Sequence, residues 1–187
     1  IRVLFFMELI KQNTQSKIIK CILIIFLSSI ALTISAKIKI PFYPVPMTMQ
    51  TFMVLFLGIF LGYKIGSLAV CLYLFEGIIG LPVFSNSPER GVGLVYFTGP
   101  TMGYLIGFVS ACILASFVKV KDNYLIIFLK LIFSVSTIYI LGILWLGTIL
   151  GWDKPIFELG VAPFLLAEVF KISILTLLAK KILNIRK

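Results

Sequence analysis

Glu168 and Lys171 lie three residues apart in an otherwise apolar run that begins at Pro163. On a helix this spacing places both side chains on one face. A charge turned toward lipid there would cost about 2.5–3.5 kcal/mol, so the pair has to face protein or a cavity. An acid and a base inside a membrane segment predict a functional site. The alternative is a structural pair whose charges neutralise each other in the core.

Three other polar side chains are candidates for the same site. Gln50 is an amide just inside a predicted helix, where it needs a partner. Glu76 lies near the end of the next helix, where it either lines the cavity or is held by loop amides. Tyr104 ends the Thr-Met-Gly-Tyr run that opens a later helix. We therefore include all three among the predicted binding residues.

A proline-rich stretch between residues 37 and 46 suggests a cover for the site. Three prolines within the six residues 41–46 forbid a regular helix and stiffen an extended loop. The aromatic side chains of Phe42 and Tyr43 in this loop suit either a lid over the site or an anchor at the membrane surface. Tyr43 is the binding candidate from this stretch.

The composition places these residues in a membrane protein. Hydrophobic residues make up 60% of the 187 residues, and the mean hydropathy is +1.13. Both values exceed those of soluble domains, and the length suits one compact bundle. The net charge of +10 could indicate nucleic-acid binding. However, the basic residues lie at the ends of apolar runs, which is the pattern of membrane topology, so we expect no nucleic-acid partner.

The chain lacks the residues that several kinds of chemistry require. The chain has no histidine, which excludes imidazole catalysis and histidine metal sites. Cys21, Cys71 and Cys112 are isolated in apolar runs, so we predict neither a metal site nor a disulfide framework. There is no phosphate-binding loop of the Walker type, so any ATP hydrolysis has to come from another subunit. We expect no cofactor and no enzymatic activity.

The apolar runs predict an all-α membrane protein formed by one transmembrane domain, residues 1–187. We expect a compact bundle of six transmembrane helices, preceded by a short interfacial helix in residues 1–17. A tight turn over residues 62–66 separates the second helix from the third. The approximate helix bounds are 18–36, 48–62, 65–80, 101–118, 125–150 and 163–183.

The basic residues predict the orientation of this bundle. Six helices place both termini on one side, and that side carries most of the basic residues between the helices: Arg2, Lys11, Lys17, Lys20, Lys64, Lys119, Lys121, Lys180, Lys181, Arg186 and Lys187. The other side has Lys37, Lys39, Arg90 and Lys154. The excess of positive charge places both termini in the cytoplasm. The long loops and the start of the last helix then face outward, which suggests capture of a molecule from outside.

Two stripes of small residues suggest close helix contacts. Ser28, Ala31 and Ser35 share one face of the first helix, where they permit either docking on a partner subunit or packing inside the bundle. Gly99, Gly103 and Gly107 favour close packing of the fourth helix, with close approach to a ligand as the alternative.

Four blocks of this sequence resemble the BioY family, the biotin-specific S components of energy-coupling factor (ECF) transporters. The resemblance spans about residues 36–178 and is carried by Pro44–Gln50 (PVPMTMQ), Tyr73–Phe84 (YLFEGIIGLPVF), Thr98–Tyr104 (TGPTMGY) and Pro163–Lys171 (PFLLAEVFK). It implies that Glu168, Lys171 and Asn86 bind biotin. Where family members often have Pro-Gly-Asp, this chain has Leu166-Ala167-Glu168, and the extra methylene of glutamate shifts the carboxylate.

The resemblance also implies a physiological setting. The expected ligand is biotin, and the expected partners are a transmembrane coupling subunit and two ATP-binding subunits in the bacterial cytoplasmic membrane. A lysine ammonium suits the biotin carboxylate or ring carbonyl, and a glutamate can accept a ureido N–H. Asn86 or Gln50 can both donate and accept. An S component for another vitamin and an intramembrane enzyme acting on a lipid or cofactor precursor are the alternatives.

Overall fold

The computed structural model describes residues 2–41 and 43–186, with side chains from residue 15 onward; Phe42, part of the predicted lid, lies outside the described residues. The described chain is mostly helical. Its helices are α1 Arg2–Lys37, α2 Gln50–Ile78, α3 Leu94–Phe97, α4 Met102–Ala115, α5 Tyr124–Leu150, α6 Ile156–Gly160 and α7 Leu165–Arg186. A 3₁₀ turn, Ala162–Phe164, precedes α7.

Helix α1 continues without a break through the region where a separate interfacial helix was predicted. Its 36 residues would extend about 54 Å, well beyond a hydrocarbon core of about 30 Å. The polar run of residues 11–17 contains neither proline nor glycine, so nothing in it ends the helix. The apolar part suited to crossing a membrane is Gln15–Lys37.

Helix α2 is a hairpin of two helical halves that meet at Gly62. The backbone of Gly62 has φ 79° and ψ 176°, a region open essentially to glycine alone. A straight helix would separate residues 50 and 73 by about 34 Å. Instead, Gln50 Nε2 donates to the Tyr73 hydroxyl at 2.7 Å, and a Cβ on Gly66 would lie 3.0 Å from the Leu57 carbonyl oxygen. The two halves therefore run side by side in opposite directions.

Helix α4 packs closely against α5 through its glycines. A Cβ on Gly103 would lie 2.3 Å from the Leu141 carbonyl oxygen, and one on Gly107 would lie 2.6 Å from the Cα of Ile138. Both distances are too short for a side chain, so the two backbones touch. Of the two alternatives for the spaced glycines, Gly103 and Gly107 therefore serve close helix packing. The Gly99 carbonyl, just before α4, accepts a hydrogen bond from Trp145 Nε1 at 2.8 Å.

The proline-rich stretch forms a small β-hairpin that is fastened to the loop after α2. Strands β1 Lys39–Ile40 and β2 Met47–Thr48 pair antiparallel, with Lys39 opposite Thr48. Three basic side chains donate to backbone carbonyls across the two segments: Lys37 to Phe84 and Ser87 at 2.8 Å, Lys39 to Ser85 at 2.6 Å, and Arg90 to Pro44 at 2.8 Å. The two segments thus form one cover over this end of the bundle.

The surface of the bundle suits a lipid environment. Within the described residues, four helical stretches are long and apolar enough to cross a membrane: Gln15–Lys37, Gln50–Ile78, Tyr124–Leu150 and Ile156–Arg186. Large apolar side chains on their outer faces are well exposed, including Leu27 on α1 and Leu166 on α7. The chain is therefore a helical membrane protein.

Candidate ligand-binding site

A cavity lies beneath the cover, between the β-hairpin and helices α2, α4, α5 and α7. It holds about 530 Å³ of empty space, counting its mouth. Its polar lining residues are Thr48, Gln50, Thr51, Ser85, Tyr96, Thr101, Tyr104, Tyr139 and Glu168, and its apolar ones include Val45, Met47, Leu105, Phe108, Ile138 and Phe164.

Glu168, which lines this cavity, forms a buried ion pair with Lys171, which is not itself a lining residue. Lys171 Nζ lies 2.8 Å from Glu168 Oε1, and both residues are more than nine-tenths buried. The ammonium also donates to the Thr48 carbonyl at 2.6 Å and to Thr51 Oγ1 at 3.0 Å. An ammonium has three N–H donors, so these bonds use all of them.

Thr51 joins the two charges through its hydroxyl. It accepts the bond from Lys171 and donates its own hydrogen to Glu168 Oε1 at 2.8 Å. Both sides of the hydroxyl are therefore used, and the carboxylate is held in place by one charged and one neutral donor. The Thr51 bridge links the first half of α2 to α7.

The second carboxylate oxygen, Glu168 Oε2, is buried and makes no hydrogen bond within the described residues. Glu168 itself lines the cavity, and Tyr139 on α5 lies close enough to interact with its carboxylate. A buried acceptor without a donor costs about 1–3 kcal/mol or more when charged. An N–H group of a ligand in the cavity would remove this cost.

Gln50 and Tyr104, two of the predicted binding residues, line the cavity, but each is hydrogen-bonded to other protein groups. Gln50 donates to Tyr73, and its Oε1 accepts from the Thr48 hydroxyl at 3.1 Å. The Tyr104 hydroxyl donates to the Gly160 carbonyl at 2.9 Å, so its one hydrogen is already used within the protein. Both residues shape the wall with their hydrogen bonds already formed.

The structure does not place Asn86, Tyr43 or Glu76 in the cavity wall. The side chain of Asn86 accepts from Lys39 at 3.1 Å, while its neighbour Ser85 lines the cavity. Tyr43 is 77% exposed, with the Arg90 guanidinium 5.6 Å above its ring.

Glu76 lies on the second half of α2 and accepts from the Ser29 hydroxyl of α1 at 2.9 Å. This is a helix-to-helix contact, which is neither the cavity position nor the loop amides that the sequence suggested.

The small-residue stripe of α1 faces the inside of the bundle. Ser28 and Ser35 are buried, and their hydroxyls donate to the Ile24 and Leu32 carbonyls within α1, each at 2.7 Å. Ala31 is half-buried. Of the two alternatives for Ser28, Ala31 and Ser35, this burial favours packing inside the bundle over docking on a partner subunit, because two of the three residues are covered by the chain itself.

Comparison with known proteins points to one protein family. The family model described as "BioY family" matches residues 10–187. The chain belongs to the BioY family. Curated BioY relatives include the probable biotin transporter BioY of Pyrococcus horikoshii, 34% identical over 82% of this chain and 90% of the relative. The biotin transporter BioY of Thermotoga maritima is 32% identical over 81% of this chain and 88% of its own length.

A solved structure shares the fold of this BioY chain. It is described as the S-component for biotin from an ECF-type ABC transporter, and it superposes with a TM-score of 0.74 at 22% identity. The match covers 90% of this chain and 93% of the other. The architecture described above is therefore that of an S-component.

Sequence reasoning missed Thr51, Ser85 and Tyr139 as cavity residues of this BioY chain. Thr51 directly follows the Pro44–Gln50 block, so a search extended by one residue would have included it. Ser85 lies beside the predicted Asn86. Tyr139 sits in the middle of an apolar run and carries no local signal, because its role depends on the packing of α5 against α7.

Proposed function

We propose that this chain captures biotin from the outer side of the membrane as the substrate-binding subunit of an ECF-type transporter. The proposal draws on its membership of the BioY family, on relatives that are named biotin transporters, and on its S-component fold. One observation at the cavity carries it: Glu168 Oε2 is a buried acceptor for which the described residues provide no hydrogen bond within normal geometry.

In this proposal, the two charges have different tasks. A ureido ring presents two N–H donors, and Glu168 Oε2 accepts one of them. Lys171 keeps its ammonium against Glu168, Thr51 and Thr48, so it positions the acceptor and contributes charge rather than an N–H to the ligand. The aromatic and aliphatic side chains of the wall enclose the apolar remainder of biotin.

The carboxylate of biotin needs a different cation, and the cover supplies one. The Lys39 ammonium donates to the Ser85 carbonyl and to Asn86 Oδ1. One of its three N–H donors is then left for a ligand at the cavity mouth. Lys37 and Arg90 add positive charge on the same cover. A basic mouth draws an anion toward the cavity.

The six helical segments α1, the two halves of α2, α4, α5 and α7 each cross the bilayer in this proposal, with both termini in the cytoplasm. Reversal at Gly62 produces two short crossings from one α2. Residues 1–187 form one transmembrane domain in the bacterial cytoplasmic membrane. A transmembrane coupling subunit and two ATP-binding subunits supply the energy for release inward.

Equilibrium binding to the purified chain tests the ligand. Radiolabelled biotin should bind with a stoichiometry of one, and excess thiamine, riboflavin or pantothenate should not displace it. Displacement by one of these vitamins at equal concentration would assign the cavity to that vitamin. Turnover of a lipid or of biotin itself during the assay would point to an enzyme instead. Expression with the coupling and ATP-binding subunits, followed by purification, tests the assembly.

A further inference from the structure

The opposite end of the bundle carries a second concave surface, which we call the inner groove. It lies between the α4–α5 loop and the end of α7, and it holds about 910 Å³ of space, counting its wide opening. Its basic residues are Lys119, Lys121 and Arg186, and its apolar ones are Val118, Val120 and Leu183. It shares no residue with the biotin cavity.

Among the described residues, no acidic side chain forms a salt bridge with the basic residues of the inner groove. The one acidic residue of the adjoining loop, Asp122, is bound to Lys130 Nζ at 2.5 Å and to the Lys119 backbone N–H at 2.9 Å. Within the described part of the chain, neither the Lys119 nor the Lys121 ammonium has an ion-pair partner. Arg186 uses one donor on the Ile59 carbonyl at 3.1 Å, and its guanidinium has four other N–H groups.

The groove lies at an end of the bundle, where a membrane surface is expected. It adjoins the α2 reversal at Gly62, the end of α4 and the start of α5, where the transmembrane helices stop. Nearby, the Lys180 ammonium lies 4.6 Å from the ring centroid of Tyr124, an arrangement common where side chains reach lipid headgroups. A phosphate at this depth meets both the basic side chains and the apolar wall.

We propose that the inner groove binds the headgroup phosphate of an anionic phospholipid. Lys119, Lys121 and Arg186 contact the phosphate, and Val118, Val120 and Leu183 contact the glycerol and the first carbons of the acyl chains. The apolar half of the groove favours a lipid over a free anion, which has nothing to place there. Basic pockets between transmembrane helices are known to select anionic headgroups. This inference does not depend on the ligand of the outer cavity.

Lipid binding to the purified chain in detergent tests the proposal. Dioleoylphosphatidylglycerol and dioleoylphosphatidylcholine are titrated separately, and the bound lipid is counted by native mass spectrometry. The wild type should retain phosphatidylglycerol in preference to phosphatidylcholine. The double variant Lys119→Gln/Lys121→Gln should bind phosphatidylglycerol about 30-fold more weakly, which corresponds to about 1 kcal/mol for each lysine.

A matched pair of substitutions separates the groove from general charge attraction. Lys64→Gln/Lys181→Gln removes the same charge from exposed residues outside the groove and should leave the affinity unchanged. Equal weakening by both pairs, or equal retention of the two lipids, would overturn the proposal. Displacement of the lipid by millimolar glycerol 3-phosphate would instead assign the groove to a soluble anion. Groove variants that keep the lipid but lose a co-purifying coupling subunit would assign it to a protein partner.

Discussion

Thr51 is the residue on which the geometry of the charged pair most depends. Its hydroxyl accepts a hydrogen bond from the Lys171 ammonium and donates one to the Glu168 carboxylate. Without it, Lys171 would keep two partners, and Glu168 Oε1 would keep one. The position of the carboxylate would then rest on a single salt bridge.

The substitution Thr51→Val tests this role with almost no change in shape. Hydrogen bonds to charged groups contribute about 1.5–3 kcal/mol each, so we expect lower thermal stability and at least a tenfold loss in biotin affinity. Thr176→Val is the matched control, because the buried Thr176 hydroxyl makes no hydrogen bond within the described residues. That variant should be as stable as the wild type or more so. Equal effects of the two substitutions would contradict the role of Thr51.

The sequence identified the charged pair but only part of its surroundings. Glu168 and Lys171 could be predicted because charges in an apolar membrane helix must face protein or a cavity rather than lipid, and their spacing places them on one face. Partners from distant segments could not be predicted, since Thr51 and Tyr139 meet Glu168 only through helix packing. Glu76 shows the limit of the same reasoning: a polar residue in a membrane helix needs a partner, yet Ser29 satisfies it away from the cavity.

At the scale of elements, the reversal inside α2 brings Gln50 and Thr51 onto the cavity wall and places Gly62 at the opposite end of the bundle. Gly62 combines a backbone conformation that other residues rarely adopt with a tight environment, because a Cβ there would lie 2.4 Å from an Arg186 guanidinium nitrogen. The end of α7 is thus packed against the turn of α2.

Gly62→Ala should destabilise the chain by about 1–3 kcal/mol from backbone strain alone, with a further loss from displacement of Arg186. Gly80→Ala is the comparison. Gly80 also has positive φ, 99°, but an added Cβ there has nothing within 4 Å. Thermal unfolding in detergent should show a larger loss for Gly62→Ala than for Gly80→Ala. A Gly62→Ala chain as stable as the wild type would contradict the described turn.

The α4–α5 loop contains a pH-dependent contact at Asp122. Partial burial opposes ionisation there, but hydrogen bonds from Lys130 and from the Lys119 N–H outweigh it, so the pKa of the Asp122 carboxyl is lowered from its ordinary value of 3.8. A lowered pKa in the folded state stabilises the fold above pH 3.8, and this contribution is lost as the pH falls below that value.

Asp122→Asn should therefore lower the unfolding temperature at neutral pH, and the difference from the wild type should shrink as the pH is reduced below 3.8. Asp153→Asn is the control, because its pair with Lys154 is exposed and 3.5 Å long and should contribute little. Unfolding curves of the three proteins across the acidic range measure this. A difference that persists unchanged at the lowest pH would rule out the ion pair as its source.

Element boundaries were predictable where a residue type forces a break. The glycines at 62 and 66 predicted the turn, and the prolines of residues 41–46 predicted the non-helical cover. The pairing of β1 with β2 could not be predicted, because strands of two residues show no recognisable sequence pattern. The predicted boundary between an interfacial helix and the first membrane helix, near residue 17, lies inside the continuous α1, because polar residues alone do not end a helix. Whether Ser28 and Ser35 face a partner or the bundle could not be decided from their spacing, which is the same in both cases.

The whole molecule is asymmetric along its long axis. The cover, the cavity mouth and the α5–α7 connection lie at one end, and the Gly62 turn, the α4–α5 loop and the inner groove lie at the other. The excess of lysine and arginine at the second end predicts that it is cytoplasmic.

Cysteine labelling tests this orientation. In a background without the three native cysteines, Lys154→Cys should react with a membrane-impermeant maleimide on intact cells, whereas Lys64→Cys should react only after permeabilisation. Both positions are exposed, so reactivity reports the side of the membrane. Reversed labelling would place the cavity mouth in the cytoplasm and remove the basis for capture from outside.

The central claim is that the free oxygen of Glu168 receives an N–H of biotin, and equilibrium binding to the purified chain measures it most directly. Glu168→Gln should weaken biotin binding by about 10- to 100-fold or more, the range expected for loss of a hydrogen bond to a charged acceptor. Glu158→Gln, on an exposed residue of α6, should leave the affinity unchanged. A folded Glu168→Gln chain that binds biotin as tightly as the wild type would contradict the account.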